Sequence, residues 1–423
     1  MGLEVFEDGA LPRWVKVRQT LDAQGVGDVA AAVAEQFARP EILAAIPRGS
    51  QVALCGGSRG IDKLDQVLKA AVSEVRRLGA VPFIVPTMGS HGGATAEGQL
   101  QVLAHYGVTE ATMGCPIHSS METVLLGTVE DGVPVWFDQT AHTEADVVIP
   151  VNRVKPHTDF HGPVESGLMK MIAIGLGKQK GADTFHSRGF PAFHHLIPAV
   201  AKFTLGVKNI PFGLALVENG HSELAWVEAV TADRMWEREQ ELVEIARARM
   251  PRLLGEEIDV LVVDFLGKDI SGIGIDTNVI NRYYEGAQPF KPVIQRVVVR
   301  DLTPDTEGNA CGIGLADVVL QQAVAKLDPI KTNMNSITAK APEGARIPLT
   351  VENDRQGLYI ALACCLNLDR ERIKLARIRD TKHLETFWAS EALVPELLET
   401  GKVEVLGEPE EITFDAHGMF SHA

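Results

Sequence analysis

Cysteine is scarce in this chain, at five residues in 423, and no two cysteines form a C-x-x-C pair. A disulfide framework or a cysteine-rich zinc site is therefore not expected. Apolar runs long enough to span a membrane are also missing. The first residues, MGLEVFEDGALPRW, lack a basic stretch followed by an apolar run. We therefore expect no signal peptide and a cytoplasmic protein.

Positive charge is in the minority, with 40 Lys and Arg against 56 Asp and Glu, which gives a net charge of −16. This balance disfavours nucleic acid as a partner and disfavours binding to an anionic membrane surface. A small anionic substrate remains compatible, because a single local Arg or Lys can outweigh the net charge. The length and the 45% hydrophobic content predict a globular protein of two to three domains.

Short apolar runs alternate with helical patterns in the first half of the chain. Residues 51–55 (QVALC), 81–85 (VPFIV) and 145–151 (ADVVIPV) are predicted strands, and 170–174 (KMIAI) is a candidate fourth strand. Apolar residues at helical spacing over 61–78 predict a long helix. This alternation predicts an α/β fold with a mostly parallel sheet covered by helices.

A second series of strands and helices begins at 258–265 (IDVLVVDF), after a charged helical stretch. We therefore predict two domains, each with a mostly parallel sheet covered by helices. Residues 1–255 would carry the catalytic and cofactor-binding loops. Residues 256–423 would form a C-terminal domain that closes the substrate cleft, with the active site in the cleft between the domains.

Three loops that follow predicted strands carry candidate site residues. Ligands of parallel α/β sheets bind beyond the carboxyl ends of the strands. Arg59 lies four residues after its strand, and His91 and His157 each lie six residues after theirs. Arg59 offers a fork of donors for a carboxylate or phosphate, and the two histidines are candidate general bases. A surface Arg and structural histidines are the alternatives.

The stretch 153–186 adds Lys170, Lys178 and His186, set among glycines and prolines. A partly buried Lys170 would be nucleophilic, whereas at a strand end it would simply extend to solvent. Lys178 suits a phosphate or a solvated loop equally well. His157 and His161 have the spacing of a metal pair on a helix, but the flanking prolines and glycine disfavour a helix there.

The segments GGSRG after a strand, PTMGSHGGAT, and KPH…SGLMK…H resemble the nickel-pincer-dependent lactate racemase family. The resemblance implies a cofactor of the nickel pyridinium-3,5-bisthiocarboxylic acid mononucleotide type. It implies that His186 is the metal ligand, that Lys170 tethers the cofactor, and that His91 and His157 are the acid–base groups. Arg59 would bind the substrate carboxylate. Further cofactor contacts are expected from Gly57, Ser58, Gly89, Ser90 and Lys178.

The resemblance implies a racemase or epimerase that moves hydride to and from the cofactor through a 2-keto acid. The interval from His157 to Lys170 is thirteen residues, longer than is typical of that family, and His91 is followed by Gly rather than Arg. These departures indicate a 2-hydroxy acid other than lactate. In the second domain, Asn281 and Arg282 align loosely with a substrate-binding position.

Partners implied by the resemblance are a small 2-hydroxy acid and the enzymes that synthesise the cofactor in the cell, and a homo-oligomer is left open. Two other functions remain compatible with the sequence. One is a zinc-dependent hydrolase or lyase that uses His157, His161 and His186 on a small anionic substrate. The other is a non-catalytic nucleotide- or anion-binding protein that uses the glycine-rich loops.

Overall fold

The structure is a computed structural model, and it describes residues 2–57, 60–284, 286–287 and 290–421. The chain divides into two compact units, one of Asp22–Met250 and one of Met1–Leu21 together with Pro251–Ala423. The strands of the described residues are β1 (Arg13–Gln19), β2 (Gln51–Gly56), β3 (Val81–Pro86), β4 (Thr123–Val129), β5 (Val133–Asp138), β6 (Val147–Arg153), β7 (Phe212–Glu218), β8 (Leu224–Thr231), β9 (Glu257–Leu266), β10 (Arg282–Tyr283), β11 (Gly286–Ala287), β12 (Val293–Leu302), β13 (Val318–Leu320), β14 (Leu349–Val351), β15 (Leu375–Ile378), β16 (Thr386–Ser390), β17 (Val403–Val405) and β18 (Glu410–Glu411).

The α-helices of the described residues are α1 (Val29–Phe37), α2 (Pro40–Ala44), α3 (Leu64–Arg77), α4 (Ala96–His105), α5 (Glu110–Met113), α6 (Gln139–Glu144), α7 (Leu168–Lys170), α8 (Lys178–His186), α9 (Phe193–Val207), α10 (Met235–Arg249), α11 (Thr277–Ile280), α12 (Gln321–Lys326), α13 (Pro329–Thr338), α14 (Asp354–Ala363) and α15 (Val394–Glu399). A π-helical turn, Met171–Gly175, follows α7 directly. None of the helices in the described residues has the length and apolar character needed to cross a bilayer.

The unit Asp22–Met250 is built on a five-stranded sheet of order β3-β2-β6-β7-β8. All neighbouring strands are parallel except β7 and β8, which form an antiparallel pair. Along β2, Val52 and Leu54 join one apolar core, whereas Ala53 and Cys55 join the core on the opposite face. Both faces of the sheet are therefore covered, which is why the strands are nearly continuous apolar runs.

Helix α3 lies within the predicted helical stretch 61–78. Apolar residues of α3, among them Leu64, Val67, Leu68 and Val75, are buried against the sheet. Thr95 precedes α4, and its hydroxyl accepts a hydrogen bond from Gly98 N at 3.0 Å, which satisfies one of the free amides of the first turn. A separate β4–β5 hairpin packs on the core face that carries α8 and α9.

The other unit is built on a sheet of order β14-β13-β12-β9-β15-β16-β1-β17, with β18 paired to β1. The strands from β14 to β15 are parallel, and the remaining pairings are antiparallel. Its core includes Trp14 on β1, Val262 on β9 and Leu358 on α14. The prediction of a two-domain α/β protein with mostly parallel sheets flanked by helices is confirmed.

Two details of the sequence analysis need correction. Residues 1–21 belong to the C-terminal unit and not to a domain of residues 1–255, because β1 pairs with β16, for example Trp14 with Ser390. Residues 170–174 are helical and not a strand. A short apolar run is compatible with either structure, since burial on all sides removes the periodicity that distinguishes them.

Candidate active site

Loops that follow β2 and β3 converge on the helical segment 168–175. A Cβ atom on Gly57 would lie 3.1 Å from Met171 Cε and 2.5 Å from Asn152 Oδ1, so only glycine fits there. Gly89, with a φ of +60°, packs against Ile174, and its amide donates to Gly175 O at 3.3 Å. The predicted cofactor-binding residues Gly57 and Gly89 therefore both contact the π-helical turn that follows Lys170.

Lys170 is the last residue of α7, and its side chain is half-buried. Its Nζ lies 5.6 Å from the centroid of the Phe160 ring. Within the described part of the chain, no hydrogen bond or ion pair reaches this Nζ. Burial lowers the pKa of Lys170 to about 8, against the opposing effect of the Asp159 and Glu165 carboxylates. At pH 7 about a tenth of such amines are neutral and nucleophilic.

His157 lies in the same cluster. Burial lowers its pKa well below the usual range, and the positive charges of Lys170, His186 and His161 lower the pKa further. The backbone N–H of Asp159 donates to His157 Nδ1 at 3.0 Å. Nδ1 is therefore unprotonated, and the neutral ring carries its proton on Nε2.

His186 ends α8 and completes a row of rings. His157 stacks on Phe160 with centroids 4.3 Å apart, Phe160 lies 5.1 Å from Phe193, and Phe193 lies 5.5 Å from His186. Phe190 contacts His186 edge-on at 5.7 Å. These rings pack His157 and His186 into one cluster of phenylalanines, and Phe160 of that cluster also borders the Lys170 amine.

Glu165 organises the loop that carries His157. Backbone amides of Lys155 and Ser166 donate to each other's carbonyls, which closes residues 155–166 into a loop. The fully buried Glu165 carboxylate accepts from His157 N at 2.5 Å and pairs with Arg247 at 2.9 Å. The same carboxylate lies 3.2 Å from His161 Nδ1. Residues 157–161 are not helical, as the flanking prolines and glycine predict.

Glu239, on α10, fixes the start of the helix that carries Lys170. Its carboxylate is fully buried and accepts hydrogen bonds from Leu168 N at 2.6 Å and Met169 N at 3.0 Å. Gly167 is required next to it, because a Cβ there would lie 2.6 Å from Glu239 Cδ. Burial raises the pKa of Glu239 to about 8, although both amide hydrogen bonds oppose the shift.

The structure corrects the prediction that Lys178 binds the cofactor. This side chain has no solvent exposure, and its Nζ donates to Pro86 O and to Gln99 Oε1 at 3.2 Å. Asp138 Oδ2 lies 3.1 Å from the same Nζ. Because the side chain is fully buried among these groups, it is not placed to bind a phosphate. Lys178 is instead a buried cation that joins β3, α4 and β5.

Gln99 connects Lys178 to the loop that carries His91 through hydrogen bonds. Its Nε2 donates to Gly89 O at 2.9 Å and to His91 O at 3.3 Å. Ser90 accepts a hydrogen bond at its carbonyl from Ala94 N, and His91 N donates to Met88 O at 3.1 Å. The predicted residues Ser90 and His91 therefore lie on a loop whose backbone is held by hydrogen bonds from the Gln99 side chain and within the loop itself.

Four predicted site residues remain, namely Ser58, Arg59, Asn281 and Arg282. Ser58 and Arg59 lie outside the described residues. Asn281 is buried with a φ of +50°, and its Nδ2 donates to Pro292 O at 2.8 Å. Arg282 pairs with Asp317 at 2.5 Å and donates to the Leu315 carbonyl. These bonds give Asn281 and Arg282 structural roles inside their own unit, and their assignment as substrate-binding residues stays a prediction.

Metal binding by side chains alone is not supported. In the residues that the structure covers, no three or more His, Cys, Asp or Glu side chains are grouped as ligands for a metal ion. This geometry disfavours the zinc alternative, which needs His157, His161 and His186 as a set. A metal beside His186 would need most of its ligands from a cofactor.

No protein-family model and no curated protein sequence matches this chain. Among solved structures, the chain is similar to a protein from Thermotoga maritima determined by a structural genomics consortium. The TM-score is 0.53 at 13% identity, over 86% of this chain and 99% of that one. This similarity supports the α/β architecture. The chain is also similar to the lactate racemase apoprotein from Thermoanaerobacterium thermosaccharolyticum, with a TM-score of 0.47 at 15% identity over 87% and 89% of the two chains.

Sequence reasoning missed the carboxylates and amide that hold the cluster, namely Glu165, Glu239, Asp138 and Gln99. Glu239 sits in a charged helical stretch, where carboxylates are normally solvated. Glu165 carries one usable signal, its position between Pro163 and Gly167 in a loop already rich in candidate residues. The tertiary contacts that bury these groups leave no periodic pattern in the sequence.

Proposed function

We propose that this protein is an isomerase that racemises or epimerises a 2-hydroxy acid with a nickel-pincer nucleotide cofactor. The motifs GGSRG, PTMGSHGGAT and KPH…SGLMK…H support this proposal from the sequence. The observation that carries it is the grouping of Lys170 with His157 and His186 beside the carboxyl edge of a parallel sheet. The departures in loop spacing favour a substrate other than lactate.

The chemistry of the donor set fits the cofactor. Lys170, a half-buried amine with a pKa of about 8, would hold the cofactor as a thioamide, whose formation from a thiocarboxylic acid and the amine releases water. His186 supplies one imidazole, and the pincer would supply the soft ligands that suit square-planar nickel. Gly57 and Gly89 allow close approach of a nucleotide to the backbone. When bound, the cofactor would take the C2 hydrogen of the substrate as hydride and return it.

The protein's own residues would supply proton transfer and orientation. His157 is neutral at pH 7 and would donate a hydrogen bond from Nε2–H to a substrate oxygen, because Nδ1 is occupied by the Asp159 amide. Taking a proton at His157 would require this ring to release that amide. One of the two histidines would serve as the base for one enantiomer of the substrate, and His91 would be the base for the enantiomer that His157 does not serve. Arg59, outside the described residues, stays the predicted partner of the substrate carboxylate.

Removal of the C2 hydrogen as a proton would place negative charge next to the substrate carboxylate, which is unfavourable. Hydride removal avoids this charge and produces a 2-keto acid, whose carbonyl must present its other face before hydride returns. Two imidazoles on separate loops suit this requirement, since each would serve one face. The aromatic wall of Phe160, Phe190 and Phe193 would exclude water from the reacting carbon.

The test is to load the full chain with the pincer cofactor and incubate it with single enantiomers of a panel of 2-hydroxy acids. Chiral chromatography should show conversion to the opposite configuration. His91→Ala and His157→Ala should each lower kcat by about 100-fold or more. His221→Ala, in an exposed turn of the same unit, is the matched control and should keep full activity.

A second readout is independent of turnover. The intact mass of the loaded protein should include the cofactor, and Lys170→Arg should abolish the covalent mass increase. A loaded protein that contains nickel yet inverts none of the 2-hydroxy acids would overturn the proposal. Unchanged activity in the double variant His91→Ala/His157→Ala would overturn the acid–base assignment alone.

A further inference from the structure

Helix α13 has its polar side inward and its apolar side outward. Ile330, Met334 and Ile337 are 76%, 62% and 64% exposed, whereas Thr332 and Ser336 are buried. At 100° per residue the three apolar side chains fall within about 60° of the helix circumference, and the two buried polar residues face the opposite direction. A surface helix normally shows the reverse arrangement.

Inward polar contacts fix this orientation. Thr332 Oγ1 accepts a hydrogen bond from Ala310 N at 3.0 Å, and Ser336 Oγ lies 3.6 Å from Cys311 Sγ. Asn335 Oδ1 accepts from Asn309 Nδ2 at 3.0 Å. Rotating α13 to bury the apolar stripe would break all of these contacts. The stripe, defined as Ile330, Met334 and Ile337, is therefore a fixed feature of the surface.

We propose that the stripe is a twofold interface at which a second copy of this chain docks. Met334 lies near the middle of the stripe, with Ile330 and Ile337 on either side. In an antiparallel pair of α13 helices, a twofold axis between residues 333 and 334 would place Ile330 of each chain against Ile337 of the other, with both Met334 side chains beside the axis. The surface is thus self-complementary, as an isologous interface requires.

The charge around the stripe and its apolar area both support a second copy of this chain as the occupant. The charged residue within α13 is Lys331, whose Nζ pairs with Glu307 at 3.0 Å on the same chain, so two copies can approach without bringing uncompensated like charges together. The stripe exposes on the order of 400 Å² of apolar surface, as large as the largest patch on a typical monomer. That is about half of the ~800 Å² per partner of a standard interface, and exposed polar residues of α13 would supply the rim.

Sedimentation velocity of the full chain from about 1 to 200 µM tests this proposal, a range chosen to cover interfaces of this size. The wild type should shift with concentration from 45.8 kDa to twice that mass. Met334→Glu should raise the dimer dissociation constant by about 100-fold or more, since each dimer would bury two unpaired carboxylates. Leu366→Glu, at a side chain that is 71% exposed in the same unit, is the matched control and should leave the dimer intact.

A cross-linking variant tests the symmetry. Met334→Cys should form a disulfide-linked dimer under mild oxidation, because the two copies of residue 334 would meet at the axis, whereas Leu366→Cys should not. Circular dichroism should show that all variants keep the fold. A wild-type monomer at every concentration, or a dimer that survives Met334→Glu, would overturn the proposal, and the first result would assign the stripe to a different partner.

Discussion

Asp138 and Lys178 form an ion pair of 3.1 Å in which neither side chain has any solvent exposure. Asp138 ends β5 and also caps α6, where it accepts from Ala141 N at 2.7 Å. Lys178 begins α8 with a φ of +52°, a backbone conformation that non-glycine residues rarely adopt. The pair therefore fixes the start of the helix that ends at His186.

Removal of one partner of this pair should destabilise the protein strongly. Lys178→Met or Asp138→Asn should each lower the free energy of unfolding by about 3–5 kcal/mol, because a buried charge or polar group loses its partner. The double variant should lose less than the sum of the two losses, since no isolated charge remains. Urea unfolding of the four proteins measures this coupling. Additive losses would mean that the two side chains do not interact.

Lys170 should titrate well below the usual range of a lysine side chain. Reductive methylation with ¹³C-formaldehyde gives each lysine an NMR signal whose shift reports its charge. One signal should titrate near pH 8, as burial predicts for Lys170. Lys170→Arg should remove that signal and no other. A Lys170 signal that titrates above pH 10 would contradict the burial of the amine.

Glu239 should make stability depend on pH. Its folded pKa of about 8 lies above the ordinary value of 4.5, so between these values the folded state holds a proton that the unfolded state has lost. Its contribution to stability is therefore present below pH 4.5 and is lost as pH rises towards 8. Glu239→Gln should gain stability relative to the wild type over this window, by on the order of a few kcal/mol.

Chemical unfolding at pH 5, 6.5 and 8 checks the Glu239 prediction. Glu237→Gln, an exposed carboxylate on the same helix, is the control and should shift stability by less than about 0.5 kcal/mol at each pH. A constant difference between Glu239→Gln and the wild type across the three pH values would show that Glu239 keeps an ordinary pKa, held by the Leu168 and Met169 amides.

Two carboxylates that contact Arg247 should differ sharply in importance. Glu165 is fully buried and holds the His157 amide, whereas Glu244 is 72% exposed and lies 3.4 Å from the same guanidinium. Glu165→Gln should cost about 1–3 kcal/mol of stability and lower kcat more than it changes KM, because it loosens the His157 loop. Glu244→Gln should change stability by less than about 1 kcal/mol. Equal effects of the two changes would argue against Glu165 as the organiser of the loop.

The sequence predicts those parts of the fold that depend on local pattern. Strands β2, β3 and β6 and helix α3 lie within about two residues of their predicted positions, because their apolar spacing is set by the backbone period. The grouping of Gly57 and Gly89 beside the segment of Lys170 follows from parallel strands that share one edge. The His157 loop could be predicted for the same reason.

Other features depend on contacts between distant parts of the chain. The pairing of β1 with β16 joins residues such as Trp14 and Ser390, which are 376 positions apart, and nothing local to residues 13–19 signals it. Lys178 has the neighbours of a ligand-binding lysine in the sequence, and only the placement of Asp138 and Gln99 shows that its amine is buried inside the protein. In the same way, the sequence alone does not show that Arg282 pairs with Asp317, which lies 35 residues away.

The backbone bridge between Lys155 and Ser166 fixes the distance between the two ends of this loop, whatever the number of residues between them. Because the neck of this loop is fixed, residues added or removed at its tip need not displace α7. A change in the number of residues at the tip of the loop would thus alter the surface that the loop presents to a substrate. The position of the Lys170 amine would stay the same. The interval of thirteen residues from His157 to Lys170 would then be a part of the chain whose length can change without loss of the Lys170 position.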